Sequence, residues 1–223
     1  MAATVERPFA AILVAAGSGV RLGADVPKAF VSIDGRTMLE HAAERFAACA
    51  ELVVVAPADR LAEAARLAGC RAVAGGTARR DSVAAGLAAV TAEFVLVHDV
   101  ARPFVPAAVI DAVLDALVAG ADAVVPVVPI HDTVRRIEAD GSLAGVVDRA
   151  SLVAVQTPQG FRRDVLLAAH ERGRDLAVTD DAALVEAAGG KVVAVPGADE
   201  SFKITTPADL ARAAAAIPGG MSR

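Results

Sequence analysis

The chain contains no tryptophan and no tyrosine, and only 7 phenylalanines among 223 residues. Aromatic side chains are the platforms on which unpaired bases stack, so a role in reading single-stranded nucleic acid is disfavoured. Basic residues are not in excess either: 22 Lys and Arg stand against 27 Asp and Glu, a net charge of -5, with an isoelectric point near 5.4. Binding along a nucleic-acid backbone requires a cationic face that displaces counterions from many phosphates, and nothing in this composition supplies one. Cysteine is scarce. Cys49 and Cys70 have no CxxC partner, which argues against a disulfide framework or a thiolate zinc site and leaves both as small apolar residues expected to be buried. Long uncharged apolar runs are absent as well, despite a mean hydropathy of +0.51. The most apolar stretch, Val105–Ile130, is interrupted by Asp111, Asp115 and Asp122 and carries Pro126 and Pro129, whereas a membrane-spanning helix needs about 20 nearly uncharged residues. The first eight residues carry Glu6 and Arg7 ahead of a short apolar run that ends in a glycine turn and not in a cleavage site. That pattern predicts a cytoplasmic protein.

What the chain has in abundance is alanine and valine in short runs, within a total of 55% hydrophobic residues, enough for one core over residues 1–223. Runs of strand type (Phe9–Ala15, Leu52–Ala56, Arg71–Ala74, Phe94–His98, Ala123–Val128, Lys191–Val195) alternate with segments of helical spacing. The helical segments are Thr37–Cys49, Asp59–Ala68, Asp81–Val90, Pro106–Ala119, Arg162–Arg172, Asp180–Ala188 and a last helix opened by Thr206-Pro207. This alternation predicts an α/β protein with a Rossmann-like, mostly parallel sheet flanked by helices. The rhythm breaks between His131 and Val155, where short segments surround the turn Ala139-Asp140-Gly141-Ser142. We read residues 131–155 as an inserted β-hairpin arm within a single domain.

Open α/β sheets bind ligands beyond the carboxyl ends of their strands, so the polar residues that follow strands are the candidates. After the first strand comes Ala16-Gly17-Ser18-Gly19-Val20-Arg21-Leu22-Gly23. Its glycines let backbone N–H groups approach phosphate oxygens, yet it matches neither GxxxxGK[ST] nor the spacing of GxGxxG. Arg21 in the loop and Lys28 beyond it suit a multiply charged phosphate chain, unless both are plain solvated charges. After the fourth strand comes His98-Asp99-Val100-Ala101-Arg102-Pro103, where Asp99 either holds a divalent cation together with phosphates and waters or caps the turn and pairs with Arg102. The turn Gly75-Gly76-Thr77-Ala78-Arg79-Arg80-Asp81-Ser82 runs into a helix N-terminus, which favours an anion or a nucleobase carbonyl, while Ser82 also reads as an ordinary helix-start residue. Lys203, between Phe202 and Ile204, is placed to bury its stem and aim one ammonium into a cleft. His41, His131 and His170 have no visible partners and are expected to be structural or surface residues.

Taken in order, AAGSGVRLG (Ala15–Gly23), PKAF (Pro27–Phe30), GGTARRDSV (Gly75–Val83), LVHDVARP (Leu96–Pro103), VQTPQGF (Val155–Phe161), TDDAALVE (Thr179–Glu186) and FKITTP (Phe202–Pro207) resemble the 2-C-methyl-D-erythritol 4-phosphate cytidylyltransferases over nearly the whole chain. Related cytidylyltransferases for other polyol phosphates, such as ribitol 5-phosphate, share much of this pattern. The resemblance implies transfer of CMP from CTP to a polyol phosphate with Mg2+, in a homodimer clasped by the arm, with neither nucleic acid nor membrane as partner. It implies a nucleotide bed from Ala15, Ala16, Gly17, Gly19 and Ala101, and base or ribose contacts from Gly76, Thr77 and Ser82. Arg21, Lys28 and Lys203 would be the catalytic cations. Asp99 would lie near both metal and acceptor, Arg102 would support its loop, and Arg149, Thr157 and Thr179 would reach the acceptor, the first two across the dimer. Thr77 stands where many members carry Asp.

Overall fold

The computed structural model describes residues 8–17, 22, 26–173, 176, 178 and 180–217. Strand β1 (Phe9–Val14) is followed by a small hairpin of β2 (Ser32–Ile33) and β3 (Arg36–Thr37), then α1 (Met38–Arg45), β4 (Glu51–Ala56), α2 (Leu61–Ala68), β5 (Arg71–Ala74), α3 (Arg79–Leu87), β6 (Phe94–Asp99), α4 (Ala107–Val118) and β7 (Ala123–Pro129). A second hairpin of β8 (Val134–Ile137) and β9 (Leu143–Val147) precedes β10 (Val153–Val155), β11 (Gln159–Arg162), α5 (Arg163–Arg172), α6 (Asp181–Ala187), β12 (Val192–Pro196) and α7 (Pro207–Ala216).

The main sheet runs β7-β11-β6-β1-β4-β5, with β10 and β12 also paired to β7. β1 pairs in parallel with both β4 and β6, so the chain turns outward in opposite directions on either side of β1 and opens a crevice at its carboxyl end. Alternate residues of β1 feed two cores. Ala11 and Leu13 join the face covered by α1, α2, α4 and α7, while Ala10 and Ile12 join the face covered by α3, α5 and α6. Residues buried on both faces of a parallel strand explain why these segments read as continuous apolar runs. Helix starts follow local chemistry. Thr37 accepts the Glu40 N–H at 3.2 Å while the Glu40 carboxylate accepts the Thr37 N–H at 2.7 Å, and Thr206 with Asp209 repeats the arrangement ahead of Pro207.

The α/β expectation holds, and most element positions agree to within a few residues. Two local differences have physical causes. The segment around Gly160, which carries no strand-type run in the sequence, is strand β11, wedged antiparallel between β6 and β7; a Cβ on Gly160 would come within 2.3 Å of Val113 Cγ1 on α4, so the glycine is what lets the helix lie on the sheet there. Residues Val153–Val155, placed in the arm from sequence, pair with β7 at the sheet margin. The remainder of that insertion holds the β8–β9 hairpin, a separate two-stranded sheet that exposes Ile137, Leu143 and Val146. Residues 202–205 form a loop in which Ile204 donates its N–H to Ala101 O at 2.9 Å and Arg212 stacks on Phe202 at 4.1 Å, which fixes the loop beside the end of β6. Cys49 and Cys70 are half-buried and unbridged, less enclosed than expected. Among the described residues no helix is long and apolar enough to cross a membrane.

Candidate active site

At the carboxyl edge of the sheet lies a cavity of about 500 Å³, walled by the segments that follow β1, β5 and β6, by the turn Lys28–Phe30 and by Lys203 and Thr205. Ala15, Ala16, Gly17, Lys28, Gly76, Thr77, Ser82, Asp99, Ala101 and Lys203 all line it, so one surface gathers residues spread over nearly 190 positions of chain. Gly19, Arg21 and Thr179 lie outside the described residues.

The wall formed by the loops after β1 and β5 is set by close backbone approach. Ala15 donates its N–H to Val55 O at 2.8 Å, holding the chain after β1 along β4. A side chain at Gly75 would come within 2.7 Å of Ala16 Cβ and 2.8 Å of Ser82 Oγ, and one at Gly76 within 2.3 Å of Asp81 Cβ. Only glycines let these two loops meet. The Ser82 hydroxyl accepts the Gly76 N–H at 3.2 Å and donates to Ala78 O at 3.3 Å, while Thr77 donates to Asp81 Oδ2 at 3.2 Å. Both hydroxyls therefore shape the loop from within.

Across the cavity, Asp99 ends β6 with its side chain 13% exposed. Its Oδ2 meets Lys203 Nζ at 2.6 Å and its Oδ1 meets Arg79 Nε at 3.4 Å. Burial alone would raise its carboxyl, but the Arg79 and Lys203 charges outweigh burial and hold it down to about 2. Arg102, weighed from sequence as the partner of Asp99, instead donates to the carbonyls of Ser201 at 2.6 Å and Val155 at 3.1 Å. It thereby ties the Lys203 loop to β10.

Behind Asp99 the neighbouring His98 is fully buried, and burial lowers it to about 4. The Arg102 carbonyl only accepts, so His98 Nε2 carries the proton of the 3.0 Å contact between them. Nδ1 is then an acceptor, taking the Thr157 hydroxyl proton at 3.1 Å. Thr157 Oγ1 in turn accepts the Asp99 N–H at 3.1 Å. The resemblance places Thr157 on the acceptor; here its hydroxyl is buried and fixes the backbone of Asp99 within the same chain. Arg149 does not line this cavity; it sits at the base of the β8–β9 insertion and donates to His131 O.

Two residues that the sequence reading did not single out complete the geometry. Arg79 lines the cavity and bridges Asp99 to Asp181, which His170 also contacts; His170 thus has a partner 11 residues away in sequence. The only signals were the Arg pair after the glycine turn and the doubled Asp of Thr179-Asp180-Asp181.

Among the described residues no three His, Cys, Asp or Glu side chains gather to hold a metal, so a protein cage is absent there. One ionised carboxylate beside cationic, phosphate-suited walls does fit a Mg2+ ion held mainly by substrate phosphates and water, with Asp99 as its protein carboxylate.

A mixed α/β sheet with a parallel core and a glycine-walled, cation-rich cavity at its switch point is the architecture of a nucleotidyltransferase-class fold. The family model described as IspD, 2-C-methyl-D-erythritol 4-phosphate cytidylyltransferase, matches residues 9–218. The protein of that name from Frankia casuarinae is 49% identical over 93% of this chain and 80% of its own length, and that from Rhodococcus jostii is 44% identical over 96% of each. The crystal structure of the Thermus thermophilus protein of that name superposes with a TM-score of 0.81 at 40% identity, over 92% of this chain and 96% of that one. The chain belongs to the 2-C-methyl-D-erythritol 4-phosphate cytidylyltransferase family.

Proposed function

We propose that the chain transfers CMP from CTP to 2-C-methyl-D-erythritol 4-phosphate, giving 4-diphosphocytidyl-2-C-methyl-D-erythritol and pyrophosphate. The observation that carries the reading is the contact of Lys203 and Arg79 with the ionised Asp99 on the wall of a cavity that Lys28 and two glycine loops share. An oxygen of the acceptor phosphate attacks the α-phosphorus of CTP, a new P–O bond forms, and the bond from the α-phosphorus to the oxygen it shares with the β-phosphate breaks, that oxygen leaving as a terminal oxygen of pyrophosphate. The nucleophile is already anionic, so no side chain has to be nucleotidylated and none has to take a proton from the acceptor. The work left to the protein is positioning and neutralisation of charge on the five-coordinate phosphorus and the leaving group.

Lys28 and Lys203 fill the neutralising role, and Arg21 joins them by family resemblance. Ala15–Gly17 and Gly76 offer a backbone surface that a phosphate or ribose approaches closely. Asp99 would be the protein carboxylate that holds Mg2+, whose charge would lower the repulsion between the CTP phosphates and the incoming phosphate. The exposed apolar β8–β9 hairpin supports a homodimer, with Arg149 at the hairpin base directed to the acceptor of the neighbouring copy.

Pyrophosphate release with Mg2+, CTP and methylerythritol phosphate, and none with ATP, GTP or UTP or without an acceptor, is the expected outcome. Lys203→Ala should cost about 10²-fold in kcat, about 3 kcal/mol of transition-state stabilisation. Release with ribitol 5-phosphate alone would assign a different acceptor, and near-normal turnover by Lys203→Ala would remove Lys203 from the chemistry.

A further inference from the structure

The two cations on Asp99 are held very differently. Lys203 is 43% exposed and reaches Asp99 from the cavity mouth on a flexible stem. Arg79 is 29% exposed and fastened at a second point, where Nη1 meets Asp181 Oδ2 at 2.5 Å. Asp181, the first residue of α6, is 1% exposed, and its other oxygen meets Nε2 of His170 on α5 at 3.1 Å. Neither Asp181 nor His170 lines the cavity.

A carboxylate this deeply buried is costly unless both its oxygens are partnered, so Asp181 holds the guanidinium strongly. The planar fork then fixes the direction in which the rest of Arg79 points. This matters when a polyanion enters. Guanidinium binds phosphate at least as well as ammonium does, so an unanchored Arg79 would leave Asp99 for the substrate along with Lys203. Asp99 would then face the cavity with neither cation.

We propose that Asp181 and His170 are positioning residues for the transfer reaction, anchoring Arg79 beside Asp99 so that Lys203 is the cation exchanged onto substrate phosphate and Arg79 the one that stays. The proposal rests on the cytidylyl-transfer reading, and it is tested in two arms that separate the two.

The first arm uses the protein without ligand and follows the Arg79 Nε–H resonance, assigned by its loss in Arg79→Gln. The signal should be narrow and slowly exchanging in the wild type and in Lys203→Gln, and should exchange about 10-fold faster or broaden away in Asp181→Asn. Wild-type protection in Asp181→Asn overturns the anchor, whatever the chain catalyses. The second arm measures turnover with CTP and methylerythritol phosphate. Asp181→Asn should lose about 10-fold or more in kcat with a smaller change in KM for CTP, and adding Asp181→Asn to Arg79→Gln should cost nothing further, because the two residues act in series. Losses that multiply would mean that Asp181 acts by a route other than Arg79, and would overturn the proposal. Should Asp181→Asn fail to fold, His170→Phe carries both readouts: faster exchange of the Arg79 signal and about a 3-fold loss of kcat that vanishes in the Arg79→Gln background. Wild-type exchange and turnover in His170→Phe would overturn it. A wild-type chain inactive with methylerythritol phosphate would remove the functional reading and leave the anchor to be decided by the resonance alone.

Discussion

His98 and Asp99 are adjacent in sequence and opposite in electrostatics, because β6 points one into the core and the other to the cavity. His98 is fully buried, packs against Phe46 at 4.9 Å between ring centroids and stays neutral, lowered from 6.5 to about 4 chiefly by burial. As pH falls from 6.5 toward 4 the unfolded chain binds a proton at this position and the folded one does not, so stability present above pH 6.5 is lost across that window. The 2.5-unit difference sets a ceiling of about 3 kcal/mol. Asp99 has the same sign at lower pH: its folded carboxyl titrates at about 2 instead of 3.8, so its contribution is complete above pH 3.8 and disappears as pH falls through 2. The expected outcome is a denaturation midpoint that falls between pH 7 and pH 4.5. In His98→Asn that fall is shallower, even though the variant is less stable at pH 7. An equal slope in the two proteins would mean that His98 is protonated in the folded state.

The elements that were legible in the sequence are those whose residues obey a single local rule. β1, β4 and β6 read as apolar runs because their central residues are buried, Thr37 and Thr206 carry their caps three residues from an acid, and Gly75 of the turn after β5 stands where that loop meets Ala16. What escaped notice depends on partners distant in sequence. β11 is only four residues long and is a strand because β6 and β7 offer edges on both sides of it. Arg79 meets a carboxylate 102 positions away, and no spacing encodes that. The exchange of Arg102 from Asp99 to two carbonyls is of the same kind, since the Ser201 and Val155 carbonyls reach it only after the chain has folded back. β11 also makes the case measurable. Gly160→Ala would place a methyl 2.3 Å from Val113 Cγ1 and 2.9 Å from Leu117 Cδ1, forcing α4 off the sheet at a cost of about 1–3 kcal/mol. Urea unfolding should show a lower midpoint at unchanged m-value, and an unchanged midpoint would show that α4 shifts without strain.

At the scale of the molecule, apolar exposure is uneven. Five of the eight exposed large hydrophobic residues among those described, Ile137, Leu143, Val146, Val153 and Val155, fall between positions 137 and 155, with Ile137 and Val146 more than 70% exposed. A hairpin of two short strands does not support itself in water on such side chains, and an unpaired apolar ribbon invites association. The occupant we propose is a second copy, because one surface meeting itself about a two-fold axis covers both ribbons at once; in that dimer the family resemblance would have each Arg149 reach the neighbouring copy's acceptor. Ultracentrifugation should therefore find two copies of the 22.5-kDa chain at micromolar concentration. Ile137→Asp combined with Val146→Asp should give monomers whose fold, by circular dichroism, is intact, because neither side chain touches the two cores. Turnover should fall with the dimer: specific activity of the wild type should decline on dilution below the dissociation constant, and the double variant should show the low value at every concentration. Full activity in a proven monomer would place the whole acceptor site within one chain and leave Arg149 a structural residue of the hairpin base.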